Sequence, residues 1–130
     1  NRKVLGYRQI VSNFSTAATS ATQITGLSCP VIIPTGRKIR VTYHCWNQAT
    51  SNAGSGVTVE LWDGVVLSGA KIQQTSSTSP SANQGWGATL TAMFTATGSK
   101  TYNLGVSTNA GTLTLNAGAT TPAFVLVELV

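Results

Sequence analysis

Few side chains in this chain can do chemistry: one histidine, His44, three carboxylates, Glu60, Asp63 and Glu128, and two cysteines, Cys29 and Cys45. A hydrolytic triad would need His44 to meet a serine and one of those carboxylates, and no G-x-S-x-G elbow is present. Glu60 and Asp63 point to opposite faces of one extended strand, which is wrong for a glycosidase pair. Gly85-Trp86-Gly87 is not a phosphate-cradling loop. Without a C-x-x-C spacing or a second histidine there is no metal-ligand set either. Cys29 and Cys45 allow one disulfide, but alternation places Cys45 inward, where an unpaired thiol packs as a small hydrophobe. General acid-base catalysis needs positioned titratable groups that this chain scarcely has. The expectation is therefore a non-enzymatic protein with no cofactor, in which His44 is a polar strand residue.

What remains conspicuous is apolar. Parity along the strands turns Trp46 outward beside Arg40 and His44, Trp62 outward beside Thr58 and Glu60, and Met93 outward between Thr91 and Thr95. Two tryptophans on sheet faces are costly to leave in water, so each needs a cover. A loop or the curvature of the sheet would serve, as would a subunit interface or a stacked sugar ring. The candidate interface residues are Trp62 and Met93 together with Phe124, Leu126 and Val130. The candidate glycan contacts are Trp46 and Trp86.

The elements that must position these groups have a period of two. In "RKIRVTYHCW" Ile39, Val41, Tyr43 and Cys45 share one face. The same alternation sets Val57, Val59 and Leu61 inward, then Leu90, Ala92 and Phe94, then Tyr102, Leu104 and Val106, then Leu113 and Leu115. "LGYRQIV" and "PAFVLVELV" complete the set, with "TQITGLSCPVII" and "VVLSGAKIQ" less regular. Asp63-Gly64 predicts a two-residue hairpin, Gly98-Ser99 a second turn and Asn109-Ala110-Gly111 a third. "QATSNAGSG" and "QTSSTSPSANQG" predict loops. No segment sustains a period of 3.6. About eight antiparallel strands with two longer crossings predict an all-β protein, a β-sandwich of the jelly-roll type. An immunoglobulin-like sandwich ranks second, because Trp46 follows Cys45 directly.

At 130 residues the chain has the length of a single domain, 1–130. Only 8% of residues are charged, about a third of the usual share, so the surface is neutral and hydroxyl-rich. That composition suits packing against copies of itself or survival outside a cell. The net charge of +5 reflects scarce acids, with bases grouped at Arg2-Lys3, Arg8 and Arg37-Lys38-Arg40. Nucleic-acid binders show basic stripes with stacking aromatics, and these short groups read as solvated strand ends, with an attraction to anionic glycans or phosphate-rich cell walls as the alternative. No apolar run is long enough to span a membrane, and no secretory signal is visible. The sequon Asn13-Phe14-Ser15 matters only in a chain secreted by a eukaryote. The missing initiator Met points to a processed, trimmed or partly present N-terminus.

The succession "VLGYRQI", "TGLSCPVIIPTGRKIRVT", "KTYNLGVST", "GTLTLNAG" and "PAFVLVEL" resembles small β-rich domains of bacteriophage virion proteins, those of actinobacterial phages above all. Its most specific parts are Leu5-Gly6-Tyr7, the run Pro34-Thr35-Gly36-Arg37-Lys38-Ile39, and Pro122 to Glu128. Such domains often end in an acidic residue, Ile and Gly after the shared Val-Glu, whereas this chain has Leu129-Val130. The resemblance implies a minor tail protein or a capsid-surface protein, built like the trimeric jelly rolls at the ends of phage fibres. It brings no catalytic residues.

The closing "AFVLVELV" is apolar on both faces, which predicts a strand paired on both sides and covered twice. The second sheet is expected to provide one cover and a neighbouring subunit the other, with Glu128 paired or hydrogen-bonded at its edge; the alternative is a wholly intramolecular cover by the long loops. Taken together, the expectation is a homotrimeric virion structural protein on the phage particle, in the tail or a fibre, partnered by other virion proteins and adhering to a host-surface glycan. A capsid decoration protein and a carbohydrate-binding module are the alternatives. Neither nucleic-acid binding nor membrane insertion is expected.

Overall fold

The computed structural model describes residues 3–130, so the expected cation at Arg2 lies outside the described residues. Nine strands form: β1 (Lys3–Ile10), β2 (Phe14–Thr16), β3 (Thr22–Gln23), β4 (Cys29–Thr50), β5 (Gly56–Asp63), β6 (Ala70–Thr78), β7 (Trp86–Thr108), β8 (Leu113–Asn116) and β9 (Ala123–Leu129). Every pairing is antiparallel, in the order β1-β9-β4-β7-β5-β6, with β3 on β7 and β2 on β8, which in turn pairs the end of β4.

The organising feature is the β4–β7 ladder, which runs from Cys29 opposite Tyr102 to Gln48 opposite Trp86. In its first part β7 pairs with β4, which carries β9 on its other side; in its last part, Tyr102 to Thr108, it becomes the partner of β5. The sheet thereby folds over into the two leaves of a jelly-roll sandwich. The expected turn at Gly98-Ser99 is instead a bend inside β7. Ile33 pairs with Gly98 and Arg37 with Ala96, so Pro34, Thr35 and Gly36 bulge against Thr97 alone. Gly36 and Gly98 take φ of 70° and 86°, which glycine alone adopts freely, and Gly36 N–H donates to Thr97 Oγ1 at 2.8 Å.

Alternation does the rest. Ile39, Val41, Tyr43 and Cys45 of β4 and Val125 and Val127 of β9 are fully buried, and they form one core with Val57, Val59, Leu61, Leu104, Val106, Leu113 and Leu115. Phe94 is only half-buried, set edge-on against the buried Tyr102 at 5.7 Å. The Asn109-Ala110-Gly111 turn joins β7 to β8 as its residues predict.

Two expectations change between β5 and β6. Asp63-Gly64 is not a two-residue hairpin, because Gly64 to Gly69 form the connection, closed by Gly69 N–H on the Val65 carbonyl at 2.7 Å. "VVLSG" is therefore loop, and β6 extends through residues expected to be irregular. The cause is Val66, which folds over the outer face of the leaf into a second small cluster with Ala21 and Trp62. Gly105 permits that approach: a Cβ there would lie 2.8 Å from Val66 Cγ1 and 3.1 Å from Ala21 Cβ.

Gly105→Ala is expected to cost about 1–3 kcal/mol, the usual range for overpacking, read as a lower urea midpoint at unchanged m-value. High pH weakens the fold through its tyrosines. Burial, aided by the nearby Asp63 carboxylate, raises the Tyr102 phenol to about 12, and burial raises Tyr43 well above its ordinary value. Above about pH 10 the unfolded chain releases phenolic protons that the folded chain retains, so stability falls from there to about pH 12. Denaturant melts across that interval check this, and Tyr102→Phe should flatten the decline.

Candidate functional site

The outer face of the β1-β9-β4-β7 leaf gathers most of the exposed apolar side chains. Register places its residues in rows. One row runs Val4, Glu128, Arg40, Met93; the next Tyr7, Leu126, Thr42, Thr91; the third Gln9, Phe124, His44, Thr89. Trp46 continues the β4 column, and Val130 follows β9, its N–H bonded to the Lys38 carbonyl at 3.0 Å. Trp46, Val4, Met93, Val130 and Tyr7 are 59, 57, 48, 46 and 40% exposed, while Phe124 and Leu126 are half-buried among them.

The aromatic contacts are ordered. Tyr7 stacks on Phe124 with ring centroids 5.7 Å apart and planes inclined by 27°. His44 meets the same ring at 5.7 Å and 44°, and its Nδ1 is 2.8 Å from Thr89 Oγ1. Within this face the charges cancel locally, because Arg40 bonds Glu128 at 3.1 Å. The expected pairing of Glu128 is thus found, and β9 is paired on both sides, by β1 and β4.

Of the candidate interface residues, Phe124, Leu126, Met93 and Val130 share this leaf. Trp62 does not. It is 8% exposed, packed by Ala21 and Val66 of its own chain, and its indole N–H donates to Glu60 Oε1 at 2.9 Å. The cover was thus a loop rather than a partner, because the β5–β6 connection is longer than a hairpin. Of the candidate glycan contacts, Trp46 stays open. Trp86 instead packs half-buried against the core and donates its indole N–H to Ser77 Oγ at 3.0 Å. Tyr7 and Val4 were missed because β1 bulges between Val4 and Gly6, which breaks parity. The glycine inside "VLGYRQI" was the available sign: a Cβ on Gly6 would lie 2.7 Å from Val31 Cγ1 and 2.8 Å from Cys29 Sγ.

The other reactive groups are occupied or sealed. Cys29 and Cys45 are free thiols, both buried. Desolvation pushes both thiols up, further from the reactive thiolate. Each carboxylate side chain has a cationic neighbour, Lys71 at 3.8 Å from Glu60 and Lys100 at 3.3 Å from Asp63 besides the Arg40–Glu128 pair. Among the described residues no group of three His, Cys, Asp or Glu side chains comes together. On the opposite leaf Thr58, Ser76, Ser107 and Thr108 line a shallow hydroxyl-rich groove.

The chain matches no protein-family model and no curated protein sequence. It is similar in structure to Eiger TNF from S. frugiperda, with a TM-score of 0.60 at 10% identity over 98% of this chain and 94% of that one. It is also similar to part of a chain in the structure of infectious bursal disease virus Gx strain, with a TM-score of 0.50 at 11% identity, covering 100% of this chain and 32% of that one. A carbohydrate-binding module from Cellvibrio mixtus lichenase 5A aligns over 96% of this chain and 97% of that one at 17% identity, but its TM-score of 0.44 adds nothing to the argument. At these identities the likeness defines the fold: an all-β, jelly-roll type sandwich.

The two tryptophans should separate cleanly by mutation. Trp62→Ala is expected to destabilise by about 3–5 kcal/mol through the cavity it leaves, whereas Trp46→Ala should shift stability by less than ~0.5 kcal/mol. Chemical denaturation of the two variants side by side makes the comparison.

Proposed function

We infer that this protein is a non-enzymatic structural protein of a bacteriophage virion, a jelly-roll subunit that associates with copies of itself as a trimer and sits on the particle in the tail or a fibre. The observation that carries this reading is the apolar outer face of the β1-β9-β4-β7 leaf. Val4, Tyr7, Leu126, Phe124 and Met93 are gathered there around the internally neutral Arg40–Glu128 pair. A sheet face that leaves several large apolar side chains exposed among polar ones marks an interaction site. A second copy is the fitting cover, since a low-charge subunit meets little self-repulsion on close approach. The resemblance of "VLGYRQI", "PTGRKI" and "PAFVLVE" to phage virion domains supports the location. A capsid-surface position uses the same face, and the jelly roll shared with a chain of infectious bursal disease virus is consistent with either place.

One feature favours an additional adhesive task. Trp46 is 59% exposed, and its amphipathic ring at the end of the β4 column can stack on a sugar. Binding to a glycan array that vanishes in Trp46→Ala would support a carbohydrate-binding module.

Sedimentation equilibrium tests the assembly. The wild type should sediment as a trimer at micromolar concentration. Leu126→Asp should dissociate it, at a cost of several kcal/mol for a charge placed in an apolar contact. Thr78→Asp, in an exposed polar stretch, should leave it intact. A well-folded wild-type monomer would overturn the trimer, and absence of the chain from purified particles would overturn the location.

A further inference from the structure

The geometry points to a second interaction surface: the end of the sandwich that carries Lys3, Arg37 and Lys38 docks a base-free phosphodiester polymer of a host cell surface. This rests on the host-facing virion reading above.

The three carboxylate side chains are all committed, to Arg40, Lys71 and Lys100. Among the described residues the remaining cations, Lys3, Arg8, Arg37 and Lys38, have no acidic partner. Three of these four lie at one end of the leaf. Lys3 lies opposite Leu129 and Leu129 opposite Ile39, so register sets Lys3 and Arg37 on the core-facing side at that open end and Lys38 on the outer side, with the Lys3 backbone about 10 Å across the sheet from the Arg37-Lys38 pair, at ~4.8 Å per strand. The bulge at Pro34 to Gly36 leaves Arg37 and Lys38 exposed, and a Cβ on Gly36 would meet nothing within 4 Å.

Edge protection is the simpler account of an isolated cation on an outer strand, and it suffices for Arg8 on β1. It does not explain Arg37 and Lys38. They lie inside the sheet, opposite Ala96 and Thr95 on one side, with the Lys38 carbonyl bonded to Val130 N–H on the other. Nor can a second copy neutralise this end, because that copy has no unpaired carboxylate side chain to offer. The partner must bring the negative charge.

The chemistry favours phosphate in a flexible polymer. Arg37 offers a two-pronged donor, the lysines offer point charges, and exposed Thr35 and Thr95 flank them with hydroxyls, a donor set matched to phosphate oxygens. Among the described residues no exposed aromatic stands at this end to stack a base; Phe94 is turned against Tyr102. Cations without a pocket suit a polymer bearing one charge per repeat and little else to recognise.

The test measures binding of the whole chain to immobilised poly(glycerol phosphate), beside duplex DNA and polyglutamate at matched charge. Log affinity should fall with log salt with a slope of about −2 per protomer, since each contact to a single-stranded phosphodiester returns ~0.7 and three cations are at hand. Arg37→Gln with Lys38→Gln should weaken binding roughly tenfold at ~50 mM salt, while Thr78→Glu with Ala82→Glu, an equal change in net charge at a distant exposed site, should alter it by less than about twofold. Equal losses in the two double variants, or no binding by the wild type, would overturn the proposal. Stronger retention on DNA or polyglutamate would overturn the choice of partner. Sedimentation of the same samples reports the trimer independently, so a wild type that assembles as a trimer but fails to bind the polymer refutes this inference alone.

Discussion

Everything in this molecule hangs on the ladder between β4 and β7. Each strand exceeds 20 residues and serves both leaves of the sandwich, so one run of backbone hydrogen bonds fixes the position of every other element. β9 and β8 dock on β4, while β5 and β3 dock on β7. A strand that long cannot stay flat in a closed sandwich. The bulge at Pro34 to Gly36 and the glycine opposite it take up the bend, and they do so without ending the ladder.

That constraint also separates the two faces by chemistry. Where β7 passes into the β5 leaf, loops from residues 17–21 and 64–69 close over the outer surface, and Gly105 is the gap that admits them. Where β4 lies between β9 and β7, none of the described loops covers the outer surface, and Trp46 and Met93 stay exposed. The apolar residues of that leaf stay open in rows set by register, with the Arg40–Glu128 pair consuming the charges among them. The same bulge that bends the ladder exposes the Arg37-Lys38 pair at one end. The proposed assembly face and the proposed polyanion end thus follow from one geometric solution.

Much of this was legible in the residues. Strict alternation identified the core positions of β5, β8, the second half of β4 and most of those of β7, because a pleated strand places every second side chain on one face, while Ile24, Leu27, Val31 and Ile33 lay in a stretch whose alternation is broken. The central position of β9 was legible for a related reason: a strand apolar on both sides has to be enclosed on both. The paucity of titratable groups was equally plain, and the structure engages each carboxylate in an ion pair and buries each thiol.

Local pattern by itself determined the strand interiors, the inward face of each and the all-β class, since these depend only on chain geometry and side-chain polarity. Tertiary structure decided what covered each outward face. Trp62 and Trp46 are identical residues at outward positions, yet one lies under Val66 and the other in solvent, because the β5–β6 connection folds back and nothing crosses the β4 column. It also decided that Gly98 bends a strand where Asp63-Gly64 opens a longer loop, for a glycine permits either backbone path and only the partners across the sheet select between them. The placement of Lys3 at the same end as Arg37 and Lys38 is of the same kind: residues more than 30 positions apart reach one end of the leaf because β9 lies between β1 and β4.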